Sequence, residues 1–219
     1  MPSVLSLLTD PDEFFRRQES DPSLKGPLVV ILAVVAIDVV AAVLQSRFTS
    51  QLFEGAGVGS GLVAFVQAFT YLFVIAGPFV IWLLYAGLFH AISVVFGGEG
   101  DFSTTFALVG WGFVPSVFGS AVGIPITYYR FNVRGIDVPS EITQESMQQF
   151  NRAVQTGPMV ALTAALGIVF TLWCAFLWTF ALKHARTLDV RQAALTVAVP
   201  VLIAVLLSLR TLLVALEVL

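Results

Sequence analysis

The length of unbroken apolar chain limits this sequence more than any other feature. From Leu62 to Phe96 there is no Asp, Glu, Lys or Arg. That is about 35 residues, against the roughly 20 that cross a bilayer core of about 30 Å. Further apolar runs lie at about 27–46, 103–129, 158–182 and 193–216. Only 11% of the chain is charged and 58% is hydrophobic, where soluble domains carry about 25% charged residues. The expected fold is therefore an all-α integral membrane protein. It is a bundle of about five transmembrane helices with short interfacial amphipathic helices, and its spans fill residues 27–219.

Residues 1–26 are expected to stay outside the bilayer core. They are not read as a signal peptide, because residues 10–22 are charged and polar and no apolar core follows the start at once. Asp10-Pro11-Asp12-Glu13 reads as a helix start, with Asp10 as cap and Glu13 reaching back in a capping box. Phe14 and Phe15 followed by Arg16 and Arg17 suit a helix at the lipid surface, rings in the acyl boundary and guanidiniums at phosphates.

The long run at 62–96 has Gly77-Pro78 near its middle, which leaves two readings: one helix kinked at the proline, or a hairpin. Arg47 is expected to close the first span, and the glycine-rich residues 55–61 form a connector. Gly97 and Gly98 stop the second helix, and Asp101 or Ser103 caps the third. Phe102 opens that helix and Pro115 is expected to kink it. Gly157-Pro158 opens the fourth span. Between the third and fourth, Pro139-Ser140-Glu141 reads as the start of an amphipathic surface helix with Ile142, Met147, Phe150 and Val154 on one face.

Basic residues set the orientation. Arg16, Arg17, Lys25, Lys183, Arg186 and Arg191 fall on one side, and Arg47, Arg130, Arg134 and Arg152 on the other. The positive-inside rule then favours a cytoplasmic N-terminus in the cell membrane.

Ionisable residues inside spans are functional candidates because burying them is costly. Asp38, His90 and Arg210 are the three here. Asp38 and Arg210 can lock the first and fifth helices as an ion pair. Alternatively Arg210 snorkels to the interface and Asp38 bonds to hydroxyls. His90 reads as a hydrogen-bonded packing residue. Neither the histidines nor the single cysteine, Cys174, make a metal site, and no cofactor is expected. Gly97-Gly98-Glu99-Gly100 lacks the lysine and hydroxyl of a phosphate-binding loop. The net charge of −3 gives no basic field for nucleic acid. Gly112, Ser116 and Ser120 recur every four residues, as do Gly119 and Gly123, and small residues at that spacing let membrane helices approach closely.

Together these stretches resemble the Yip domain family, integral membrane proteins named for interaction with Ypt/Rab GTPases. Thr9-Asp10-Pro11-Asp12-Glu13-Phe14-Phe15 is similar to the family's lead into its first span. Gly97-Gly98-Glu99-Gly100-Asp101-Phe102-Ser103 is similar to its Gly-Gly-x-Gly-x-Phe loop, and Gly110 to Pro115 to the helix after it. Trp178 to Ala194 is similar to the link between its last two spans. The resemblance implies five spans and a cytoplasmic N-terminus. The polar N-terminal region is short, as in prokaryotic relatives, so GTPase binding is not carried over. The functional expectation is a non-enzymatic scaffold or organising protein whose partners are membrane lipids, other membrane proteins or a second copy of itself. The alternative is a transporter or channel component with a polar path through Asp38, His90 and Arg210.

Overall fold

The computed structural model describes residues 4–55, 57, 59–136, 139 and 143–218. Among these the chain is all-α. Its helices are α1 (Val4–Thr9), α2 (Pro11–Ser20), α3 (Lys25–Gly55), α4 (Ser60–Val95), α5 (Phe102–Trp111), α6 (Val114–Tyr128), α7 (Gln144–Gln155), α8 (Pro158–Ala185) and α9 (Val190–Ala215), with a wider π turn at Tyr129–Val133 after α6. Five stretches are long and apolar enough to cross a membrane: Lys25–Gln51, Ser60–Val95, Phe102–Val133, Pro158–Ala185 and Val190–Ala215.

Local sequence signals account for most helix ends. Asp10 caps α2, its side chain accepting the Glu13 N–H at 3.2 Å, with Pro11 at the first helical position. The reciprocal half of the expected box is missing. The Glu13 carboxylate instead takes the guanidiniums of Arg16 and Arg17, which offer it a charged partner. Asp101 caps α5 through the Thr104 N–H at 2.8 Å. Asp189 and Gln192 cap α9 reciprocally. The Gln192 N–H donates to Asp189 at 2.7 Å, and the Asp189 N–H donates to the Gln192 side chain at 3.0 Å.

Several expected bounds differ in the structure, and one open alternative is resolved. α3 does not end at Arg47 but continues to Gly55. α4 is one continuous helix with Pro78 inside it, so the hairpin reading falls; the proline removes one backbone donor without ending the helix. Pro115 does not kink the third span. The span breaks one turn earlier, at Gly112-Phe113, and Pro115 sits in the first turn of α6, where a missing N–H costs little. α7 begins at Gln144 under a Thr143 cap. Ser140, Glu141 and Ile142 lie outside the described residues, as do Ala56 and Val58 of the glycine-rich connector.

The chain divides into two units. The first comprises Met1–Val34, Pro78–Phe118 and Val169–Leu206. Its centre is aromatic. Trp82 stacks on Phe106 at 4.0 Å between ring centroids, and its indole N–H donates to the Phe106 carbonyl at 2.8 Å. Trp178 packs on Tyr85, Phe89 and Phe113 and donates to the Val109 carbonyl at 3.0 Å. Glycine makes this approach feasible. A Cβ on Gly112 would stand 2.1 Å from Trp178, and one on Gly110 would stand 2.6 Å from Pro27 and 2.7 Å from Trp82.

Phe14 and Phe15 belong to this core too, at 1% and 0% exposure. Phe14 meets Trp111 edge to face at 5.1 Å. The rings that read as lipid-facing are thus sunk in protein, where the Trp111 ring gives Phe14 an edge-to-face partner.

The second unit comprises Val35–Gly77, Gly119–Ile168 and Leu207–Leu219. In it Phe48, beyond the expected end of the first span, contacts Phe131 and Phe150 at 5.0 and 6.2 Å. That packing explains why α3 runs on past Arg47. Gln67 donates to Ser50 at 2.7 Å, and the Gly157 N–H donates to the Ala215 carbonyl at 2.9 Å.

Candidate functional site

The polar centre of the first unit is assembled around the 97–101 loop. Helix α4 ends in a double turn. The Gly98 N–H returns to the Ser93 carbonyl at 2.9 Å and the Gly97 N–H to Val94 at 3.0 Å, with Gly97 at φ +77. This is the left-handed stop that glycine adopts at little cost. Gly100 follows at φ +116, and a Cβ there would stand 2.6 Å from the Ala185 carbonyl. The loop's carbonyl oxygens consequently turn towards the end of α8.

Arg186 fills the space they enclose. It is 3% exposed. Its Nε donates to Ser93 Oγ at 2.8 Å, one Nη donates to the Gly98 carbonyl at 2.6 Å, and the other donates to the Gly100 carbonyl. In return the Glu99 N–H donates to the Arg186 carbonyl at 3.0 Å, and the Gln192 side chain donates to the Phe96 carbonyl at 3.2 Å. No ion pair to Arg186 is present among the described residues. The cation is stabilised by oriented dipoles, which suit the planar guanidinium fork. Burial lowers the guanidinium's pKa and the neighbouring Asp101 carboxylate opposes this. Thr187, the next residue, stands at φ 52, a strained conformation for a β-branched side chain. It ends α8 so that the Leu188 N–H reaches the Lys183 carbonyl at 3.1 Å.

A second polar group ties the N-terminal segment to the same helix end. Lys183 Nζ lies 2.6 Å and His184 Nε2 2.8 Å from Asp12 Oδ1, while His184 Nδ1 lies 3.4 Å from Glu19. The Lys183 and then the His184 hydrogen bond hold Asp12 below the usual carboxylate range. Asp101 is held well below it by the Ser103 hydroxyl and by the Thr104 N–H and hydroxyl.

The intramembrane candidates are placed separately. Asp38 is half-buried on α3. Arg210 is exposed on α9, and no ion pair joins it to Asp38 among the described residues. His90 Nδ1 lies 3.2 Å from the Thr105 hydroxyl, with Phe102 edge-on at 5.5 Å. The small-residue stripe is uneven. Gly112 is pressed against Trp178, and the Ser116 hydroxyl is 3.5 Å from Cys174 Sγ. Gly119 is half-buried, and Gly123 has open space around it. Among the described residues no group of three or more His, Cys, Asp and Glu side chains can hold a metal ion.

Sequence reasoning missed Arg186. It stands among Lys183, His184 and Arg191 and reads as one more loop cation. Its acceptors are 86 and 88 residues away in the chain.

These features define a multi-pass helical membrane protein whose loops are fastened by one buried arginine. The chain belongs to the Yip1 domain family, whose profile matches residues 5–210. It is 30% identical over 147 residues to an uncharacterised protein of Methanocaldococcus jannaschii, covering 67% of this chain and 96% of that protein. No solved structure matches it.

Proposed function

We propose that this protein is a non-enzymatic scaffold of the cell membrane, with a cytoplasmic N-terminus, that gathers other membrane proteins or organises lipid around itself. One observation carries the reading: the helices leave most of their apolar surface uncovered. Only 17% of the most apolar stretch of α4, and 17% of that of α9, is buried within the protein. Lateral surface on this scale is available to lipid and to partner helices, which associate through packing and hydrogen bonds. The polar platform formed by α2 and the loops around Gly97 and Arg186 adds a second, pre-ordered surface. It displays Arg16, Arg17, Glu99, Asp189 and Arg191.

The test is affinity capture from native membranes in mild detergent, comparing the natural chain with a Glu99→Lys, Arg191→Glu double variant. A reproducible set of membrane proteins that the double variant loses supports the reading. Identical recoveries, at detergent background, defeat it.

The transporter alternative rests on Asp38, a half-buried carboxylate within the first span. Proteoliposome flux abolished by Asp38→Asn would favour it over the scaffold.

A further inference from the structure

The second unit holds a cavity of about 700 Å³, within the roughly 300–1,000 Å³ range of small-molecule sites. It lies where three spans terminate, and its lining includes Arg130, Arg134, Gly157, Ala215 and Glu217. Residues at such a position stand at headgroup depth.

The cavity's charge is unusual for this chain. Arg130 and Arg134 are one turn apart and both line the cavity, and the Arg134 charge acts on the Arg130 guanidinium. Arg130 is half-buried, donates to the Val154 carbonyl, and lies over the Phe131 ring at 5.1 Å. Arg134 extends over the chain just before α8; a Cβ on Gly157 would stand 3.7 Å from its Nη1. Among the described residues neither arginine is in an ion pair, and the one carboxylate lining the cavity is Glu217. Two like charges held together beside a cavity repel until an anion enters. A guanidinium fork matches a phosphate through paired hydrogen bonds, and the first turn of α8 adds a favourable dipole.

We propose that this cavity binds the phosphate of an anionic phospholipid headgroup, with Arg134 as the principal contact and Arg130 as a fixed second charge. A lipid is the source because the site opens where lipid phosphates lie. The inference goes beyond the scaffold reading, since gathering partner proteins requires no headgroup site.

The experiment is native mass spectrometry of the full chain released from non-ionic detergent. Short-chain phosphatidylglycerol is the probe, and inorganic phosphate is run in parallel. The natural chain is expected to retain one lipid. Arg134→Gln is expected to bind it about tenfold more weakly, and Arg134→Lys, which keeps the charge, less than about threefold more weakly. Arg152→Gln, an exposed arginine on α7 that does not line this cavity, is expected to bind as the natural chain does. Arg134 is itself exposed, so the variants should keep the natural helical content by circular dichroism. Three results overturn the proposal: equal binding by Arg134→Gln, an equal loss in Arg152→Gln, or a phosphate adduct without a lipid adduct. Protein capture unaffected by Arg134→Gln would leave the scaffold reading standing whatever the lipid result.

Discussion

Replacing Arg186 with Met tests whether the guanidinium fastens the loops. The variant keeps an unbranched side chain of similar reach but removes the donors to Ser93 Oγ, Gly98 O and Gly100 O. Hydrogen bonds to charged groups contribute about 1.5–3 kcal/mol each, so three are worth roughly 4.5–9 kcal/mol before the cost of burying the cation. That cost is several kcal/mol. The Ser93 hydroxyl is buried and loses this donor, which costs about 1–3 kcal/mol, while Gly98 is half-buried and Gly100 exposed, so water can replace part of the bonds to their carbonyls. The expected net loss is about 3 kcal/mol, or some 6–12 °C in melting temperature for a chain of this size. Cys174 supplies the assay. It is the only cysteine and is free and buried, so a thiol-reactive fluorophore reports unfolding in detergent. Arg186→Lys should fall between the two, since an ammonium keeps the charge but lacks the planar fork. A Met variant melting within about 2 °C of the natural chain would refute the reasoning, because that is a loss of no more than about 1 kcal/mol where about 3 is expected.

Three further outcomes are expected. Gly112→Val drives a side chain into the Trp178 ring, 2.1 Å from the new Cβ, and should destabilise by about 1–3 kcal/mol, with a shift in tryptophan emission as the indole leaves the Val109 carbonyl. Asp12→Asn should increase proteolysis in residues 20–25, with a loss below about 1 kcal/mol because Asp12 is partly exposed. The depressed Asp12 pKa makes the natural contact fully present above the ordinary carboxylate value of about 4 and lost as pH falls through the lower folded value, so protection should hold from pH 8 to 5 and fade only in stronger acid. A reporter active only outside the cytoplasm, fused after the fifth span, should be active if the N-terminus is cytoplasmic; silence reverses the orientation.

Much of the fold is legible in the sequence because its determinants are local. Span number follows from apolar length, and the Asp10 and Asp101 caps follow from a carboxylate a few residues before an N–H. What escapes is set by distant partners. Phe14 and Phe15, followed by arginines, have the pattern of a membrane-surface helix, and only Trp111, nearly a hundred residues on, makes them core. Pro115 draws the eye as the kink, yet the break falls at Gly112 because the Trp178 ring needs the space a side chain would fill. Arg186 is the clearest case, since neither its neighbours nor its charge distinguishes it from Arg191.

The Arg186 cradle also fixes an order of events during synthesis. Gly100 is added 86 residues before Arg186, and at about 5–20 residues per second the interval is roughly 4–17 s. Throughout that time the Gly98 and Gly100 carbonyls lack the donor that the folded chain gives them. The whole fourth span, Pro158–Ala185, is made before the guanidinium arrives. A chain truncated before residue 186 therefore contains the Ser93, Gly98 and Gly100 acceptors and lacks the guanidinium that ties them together.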